Sequence, residues 1–292
     1  MTGFDIRTAL LIVSLLYLLM STAVWVVLFR QRSHGLTLWC GGGLLYGIGV
    51  LFIGLRGAVP AWVTFPLANL LIVSATLICI QALRPDGSTP WRTIRMAATA
   101  LLFVLIYQGI NRVARGGSLR VQFAALVEAS LFLALVAQAW RIGREQRSPS
   151  ACWIAGGYLL PAAMLLLRVA APATGWGSGD HGVAGPDLVL LSLAGVLSSV
   201  VGNMGYVGIY LERSVRRQAE TMERVTHSEA KFRAMFEQSP LGVTLTDIQT
   251  GPLVMVNERF SEITGRSREE LLTIDWMRIR GAGFGSPTTI FR

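Results

Sequence analysis

Residues 9–29 read ALLIVSLLYLLMSTAVWVVLF, an apolar run without a charged side chain. About 20 apolar residues in a helix suffice to cross the hydrocarbon core of a bilayer. The run is also longer than the apolar core of a secretory signal peptide. We therefore interpret it as a retained first membrane span.

Six more apolar runs of similar length follow, each bounded by charges, Pro or Gly. The fourth run is the shortest. Together the runs predict a mainly α fold whose first part, residues 1–211, is a polytopic seven-helix transmembrane bundle. The seven predicted spans cover residues 8–29, 36–55, 62–83, 93–110, 121–140, 151–171 and 187–211.

The composition is typical of a membrane protein, because 52% of the residues are hydrophobic and only 15% are charged. Most of the net charge of +9 comes from arginines in short loops between the apolar runs. We expect these arginines to contact membrane lipids rather than nucleic acid. Cys40, Cys79 and Cys152 stand alone in apolar runs, which indicates small packing residues and no metal site.

The loop arginines also predict the orientation, because positively charged loops stay in the cytosol. With the N-terminus outside and the C-terminus in the cytosol, most loop arginines, including Arg84, Arg141 and Arg213, lie on the cytosolic side. Fewer lie outside, although the loop 112–120 opposes the rule with three arginines.

After Tyr210 the sequence becomes charged, and the segment 212–236 has neither Gly nor Pro, which predicts one linker helix. Apolar residues recur along it in steps of three and four, with polar breaks at Gln218 and Glu229. This heptad seam favours a coiled coil and a homodimer through the linker helix. The alternative is an amphipathic helix on a surface. The seam consists of Val215, Met222, Val225, Phe232 and Phe236.

Glu128 is the most informative residue of the membrane part, since an ionisable side chain inside a span is costly unless it is paired, hydrated or neutralised. We expect Glu128 to pair with Arg168 of the sixth span, with Asn69 of the third span nearby. These residues would form a ligand-sensing pocket that is open to the outside. The alternative is that the polar groups only hold the helices together.

Small residues and proline predict the helix packing. Gly43 and Gly47 lie four residues apart on the second span and offer a flat contact surface. Pro161 should kink the sixth span.

From Ser239 onward the periodicity shortens to that of strands and short helices. Residues 241–248 and 253–256 read as two strands joined by a turn. A first short helix is opened by Asn257 and closed by Gly265, and a second begins with the capping box Ser267 to Glu270.

Two stretches of this region carry a family resemblance. Residues 232–247 read FRAMFEQSPLGVTLTD and residues 256–272 read VNERFSEITGRSREELL. Their order and spacing resemble the opening half of a PAS domain. The membrane part, with RGAVPAW at 56–62 and LANLL at 67–71, resembles membrane regions that precede PAS and GGDEF domains in bacterial signalling proteins.

The resemblance implies that residues 237–277 are the N-terminal half of an α+β PAS domain, whose complete fold has a five-stranded antiparallel sheet. Residues 278–292 do not resemble its continuation, and their glycines oppose regular structure. We therefore expect an irregular tail and an incomplete PAS domain, in a chain that is truncated or frameshifted. The cofactor is unknown, because the family's binding residues lie mostly in the missing part.

The expected function is that of a sensory input module in the cytoplasmic (inner) membrane of a bacterium, relaying an unknown small-molecule stimulus through the linker helix to the PAS domain. The resemblance implies a full-length relative that is a diguanylate cyclase or, alternatively, a histidine kinase. No catalytic residue is assigned, since the chain has no GGDEF or EAL signature and the surroundings of His227 differ from those of a phospho-acceptor. The alternatives are a small-molecule transporter or channel, with Glu128 and Arg168 in its pathway, and an inert fragment.

Overall fold

The computed structural model describes residues 6–29, 33–84, 90–113, 117–174, 186–247 and 253–273. The segment predicted as an irregular tail, 278–292, lies outside the described residues. The chain divides into two compact units, Met1–Arg213 and Ser214–Arg292.

The described residues contain seven helices that are long and apolar enough to cross a membrane, which confirms the predicted seven-helix arrangement. A π-helical turn, Val63–Leu67, leads directly into the third helix. The helices are α1 (Ile6–Val27), α2 (His34–Gly54), α3 (Ala68–Ala82), α4 (Pro90–Val113), α5 (Gly117–Glu145), α6 (Pro149–Thr174) and α7 (Pro186–Glu237).

The fourth helix is longer than its short apolar run suggested. α4 has 24 residues, because polar residues at both ends extend the helix beyond the run that hydropathy detects. It also has the smallest buried share of the seven helices. It packs against the other helices of the first unit through Phe103 and Tyr107, which are buried beside Val73 of α3. Much of α4 therefore presents apolar side chains outward, as a lipid-facing helix does.

Glycines allow the closest approach of α1 and α2. A Cβ atom at Gly43 would collide with the Ser21 side chain, and one at Gly47 would lie 2.9 Å from Leu18 Cγ. The Ser14 hydroxyl donates a hydrogen bond of 3.0 Å to the carbonyl of Gly47. In α6, Pro161 is buried, and the helix continues through it as a single element.

The predicted seventh span and the predicted linker helix are parts of one element. α7 contains 52 residues and is helical without a break from Pro186 to Glu237. In its linker part the heptad-seam residues Val215, Met222, Val225 and Phe232 are exposed, whereas Phe236 is buried.

The second unit contains a two-stranded antiparallel sheet, in which β1 (Thr244–Thr246) pairs with β2 (Leu253–Val256). Two short helices follow, α8 (Glu258–Thr264) and α9 (Arg268–Thr273). The predicted helix signals are confirmed. Asn257 caps α8, Gly265 ends it with a φ of 66°, and the Ser267 and Glu270 side chains cap each other's backbone N–H groups at 3.3 Å.

The core of this unit is small. Leu253, Val256 and Leu271 are buried in it, and Phe260 and Leu272 pack against them. β1 is shorter than the predicted strand 241–248, because Leu241 to Val243 bond to the Asn257 side chain and backbone instead of to a neighbouring strand.

Candidate functional site

The buried carboxyl group of the bundle, Glu128 on α5, bonds to Thr76 on α3. The Thr76 hydroxyl donates to Glu128 Oε1 at 2.8 Å, and both residues are buried. The same hydroxyl lies 3.1 Å from the carbonyl of Ile72, and its single proton can serve only one acceptor at a time. Glu128 Oε2 is buried, and no described residue gives it a hydrogen bond.

The predicted trio of Glu128, Arg168 and Asn69 does not come together. Neither oxygen of Glu128 bonds to Arg168, which lies half-buried on α6 and makes other interactions. Asn69 donates to the carbonyl of Phe65 at 2.7 Å and lies seven residues, about two helical turns, before Thr76. The prediction compared depths along the helices, whereas the rotation of α5 decides that Glu128 faces α3.

Sequence reasoning missed a cluster of aromatic side chains in the middle of the bundle. Trp39 of α2 is central to it, because its ring stacks on Tyr206 of α7 at 4.6 Å and meets Tyr158 of α6 edge-on at 6.4 Å. Phe132 of α5 lies 5.5 Å from the Tyr158 ring. These contacts join α2, α5, α6 and α7 around one centre.

Hydrogen bonds from Tyr17 and Trp39 join α7 to the first two helices. The Tyr17 and Ser198 hydroxyl oxygens lie 2.9 Å apart, which joins α1 to α7. The Trp39 indole N–H donates to Asn203 Oδ1 at 3.3 Å, which joins α2 to α7. Buried Tyr and Trp side chains need such partners. Tyr17 and Tyr158 lie well inside their predicted spans, away from the interfaces where aromatic residues usually gather, and this position was the signal that could have revealed the cluster.

The space enclosed by this cluster is small. Its lining includes Tyr17, Trp39, Thr76 and Asn203, and its free interior is only about one water molecule in size. A drug-sized ligand needs several hundred cubic ångströms. The centre of the bundle is therefore suited to a change in packing or hydration rather than to enclosing a large molecule in this conformation.

A second constellation lies in the other unit, where the end of α7 meets the strands. Asn257 is fully buried, and its Nδ2 donates to the carbonyls of Phe236 and Leu241, each at 2.9 Å. Its Oδ1 accepts from the backbone N–H groups of Val243 and Phe260 at 2.8 and 3.0 Å. One side chain therefore fastens the last turn of α7 to β1 and α8.

Glu237, the last residue of α7, strengthens the same junction. Its carboxylate accepts from the backbone N–H of Glu258 at 3.2 Å and pairs with Arg268 at 3.2 Å. The sequence predicted the cap at Asn257 but not these bonds, which connect residues distant along the chain. Among the described residues, no group of three or more His, Cys, Asp or Glu side chains is arranged to hold a metal.

Comparison with known families supports the interpretation of the C-terminal part. Residues 230–289 match the family model of the PAS domain. No curated protein and no solved structure matches the chain. A PAS domain indicates a signalling sensor, and here the match follows seven helices that fit a multi-pass membrane protein.

Proposed function

We propose that the chain is the membrane-embedded input module of a signal-transduction protein, in which α7 relays a stimulus from the bundle to the PAS domain. The observation that supports this proposal is the extent of α7, a single helix of 52 residues. Its N-terminal half bonds to α1 and α2 through Ser198 and Asn203. Its C-terminal end lies in the segment that matches the PAS family.

A relay of this kind needs one element with two discrete arrangements. Several contacts of α7 within the bundle are directional: the hydrogen bonds of Ser198 and Asn203, the stacking of Tyr206 on Trp39, and the hydrogen bond of 2.7 Å that the Ser150 hydroxyl of α6 donates to Glu212. The Trp39–Asn203 bond, at 3.3 Å, is longer than the usual N–H···O distance and is therefore weak. A shift or rotation of α7 would break these contacts together, and a stimulus that favours the shifted packing would be transmitted along the helix.

Hydrogen–deuterium exchange tests the relay on the full chain in lipid nanodiscs. Ser198→Ala removes the bond to Tyr17, and we expect faster exchange in residues 212–237 and 253–273. Ser192→Ala is the matched control, because the Ser192 hydroxyl donates only to the carbonyl of Leu188 on its own helix. If Ser198→Ala and Ser192→Ala give the same exchange in the C-terminal unit, the relay is refuted.

The proposed orientation is N-terminus outside and C-terminus in the cytosol of a bacterial inner membrane, with membrane lipids as partners of the loop arginines. The distribution of arginines supports it. A periplasmic phosphatase fused after residue 180 should be active, and one fused after residue 146 should be inactive. The reverse result would invert the topology.

The proposed output is that of a diguanylate cyclase, with a histidine kinase as the alternative, and the chain itself is proposed to catalyse no reaction. The likeness of residues 56–62 and 67–71 to membrane regions that precede GGDEF domains supports the first choice. Coding sequence for a GGDEF domain after this chain would support the cyclase, and kinase coding would support the alternative. Incubation of the purified chain with GTP should yield no cyclic dinucleotide.

A further inference from the structure

Two arginines from distant parts of the first unit meet over one aromatic ring. The guanidinium carbon of Arg56, which follows α2, lies 5.2 Å from the centroid of the Phe65 ring. The guanidinium carbon of Arg120, in the first turn of α5, lies 4.2 Å from the same centroid. The two cations are therefore within about 10 Å of each other, the Debye length in 0.1 M salt.

The backbone between Arg56 and Asn69 contains an irregular turn and a π-helical turn that bring Arg56 close to Phe65. Gly57 has a φ of 90°, a conformation that side chains with a Cβ rarely adopt. Arg56 and Val59 form an isolated bridge that closes the turn. Phe65 then lies in a π-helical turn, a local irregularity that is frequent at functional sites.

Asn69 stabilises the same turn. Its side chain donates to the carbonyl of Phe65 at 2.7 Å, so that this carbonyl accepts a second hydrogen bond beside the one from the backbone N–H of Ala68. Each of the short motifs at 56–62 and 67–71 thus contributes one residue that contacts Phe65: Arg56 contacts its ring and Asn69 its backbone carbonyl.

The charge of this cluster is not neutralised by nearby carboxylates of the described residues. Of the residues that the structure describes, no carboxylate lies within ion-pair distance of Arg56 or Arg120, and Arg120 Nη1 donates instead to Asn111 Oδ1 at 2.7 Å. Arg120 Nε is buried and has no hydrogen-bond partner in the part of the chain that the structure describes.

Like charges held this close repel one another, and an unpartnered N–H that is buried costs free energy. An oxyanion bound beside the guanidinium groups would offset both costs, since guanidinium binds carboxylate and phosphate through paired charge-assisted hydrogen bonds. We propose that Arg56, Arg120 and Phe65 form a binding site for an oxyanion, a phosphate or carboxylate group of a soluble ligand or of a lipid headgroup.

This site differs in place and chemistry from the Glu128 centre. The proposal concerns binding alone, so its test measures binding directly, and failure of the relay through α7 would not affect it. On the orientation proposed above, the site would face the outer side of the membrane, where an extracellular ligand or an outer-leaflet lipid can reach it.

The test uses the full chain in nanodiscs of zwitterionic lipid. One arm adds inorganic phosphate and citrate and measures binding by calorimetry; the other replaces part of the lipid with phosphatidylglycerol and counts bound lipid by native mass spectrometry. We expect binding in one arm, and a loss of tenfold or more in Arg120→Gln and Arg56→Gln. Arg112→Gln is the matched control, since Arg112 lies exposed at the end of α4, and it should bind as the unmodified chain does.

Each outcome decides the proposal. Binding in the first arm identifies a soluble anion, and binding in the second identifies a lipid headgroup. Absence of binding in both arms, or an equal loss in Arg112→Gln, overturns the site. Arg56 is exposed, so Arg56→Gln leaves folding intact and keeps the test valid should Arg120→Gln fail to fold.

Discussion

The Thr76–Glu128 bond is a residue-scale feature whose contribution can be measured. Thr76→Val removes the hydroxyl and leaves both oxygens of Glu128 without a partner inside the bundle. We expect the free energy of unfolding to fall by about 1 kcal/mol, the size of an interhelical hydrogen bond in a membrane protein. Titration with a denaturing detergent measures this change.

The matched control for that variant is Thr99→Val. Thr99 is exposed on α4, and its hydroxyl donates only to the carbonyl of Arg95 one turn earlier. Its replacement should change stability by no more than a few tenths of a kcal/mol. Equal losses in the two variants would mean that the bond between α3 and α5 contributes nothing to stability.

Asn257 has four hydrogen bonds from one fully buried side chain, so its removal should be costly. We expect Asn257→Ala to destabilise the second unit by about 3 kcal/mol, since several buried backbone groups lose their partner at once. Asn257→Asp keeps one acceptor but sets a carboxylate oxygen against the carbonyls of Phe236 and Leu241, so it should not restore the stability. Limited proteolysis of membrane vesicles measures the effect through the rate at which the C-terminal unit is cut.

Gln238 provides the control for Asn257, because it is an exposed neighbour of the same junction. Gln238→Ala should leave the rate of proteolysis unchanged. If Asn257→Ala is cut no faster than Gln238→Ala, the side chain does not fasten α7 to the strands in solution.

At the scale of elements, glycine positions decide how closely α6 and α7 pack. A Cβ atom at Gly205 would lie 2.6 Å from Ile154 Cγ1 and 3.0 Å from the carbonyl oxygen of Ser150, a backbone atom that cannot rotate away. We expect Gly205→Ala to lower the free energy of unfolding by about 1–3 kcal/mol through overpacking. Detergent-induced unfolding of the full chain measures it.

Gly156 is the matched position on α6, since a Cβ atom there would meet nothing within 4 Å. Gly156→Ala should be neutral or stabilise the helix by about 0.5–1 kcal/mol, because alanine loses less backbone entropy than glycine. A loss of stability in Gly156→Ala equal to that in Gly205→Ala would show that close packing is not the cause.

The helices and strands were predictable where they depend only on residues close together in the sequence or on the length of an apolar run. Bilayer thickness sets the length of the apolar runs, and the capping residues Asn257 and Ser267 act within a few residues of themselves. The partner of Glu128 was not predictable, because hydropathy reports the depth of a residue and not the direction in which its helix is rotated. The meeting of Arg56 and Arg120 over Phe65 depends in the same way on packing between helices.

At the scale of the whole molecule, the exposed apolar residues of α1 to α7 fall into two classes. Those on the spans, such as Leu15, Leu105 and Trp153, suit contact with lipid chains. Those on the linker part of α7 lie among charged residues that follow the apolar part of the helix, and they include Met222 and Val225. An apolar seam in a charged helix is covered most simply by the same seam of a second copy.

The proposed homodimer therefore predicts a pattern of cross-links. In a chain whose native cysteines are replaced by Ala, Met222→Cys on the seam should form an intermolecular disulfide in oxidised membrane vesicles. Glu220→Cys, two residues away, lies on the opposite face of the helix and should not. The two positions differ by little in height along α7 but by about 200° in rotation about its axis. Random collision would therefore oxidise both cysteines equally. Equal cross-linking of the two variants, or no cross-link in either, would contradict a dimer through this seam.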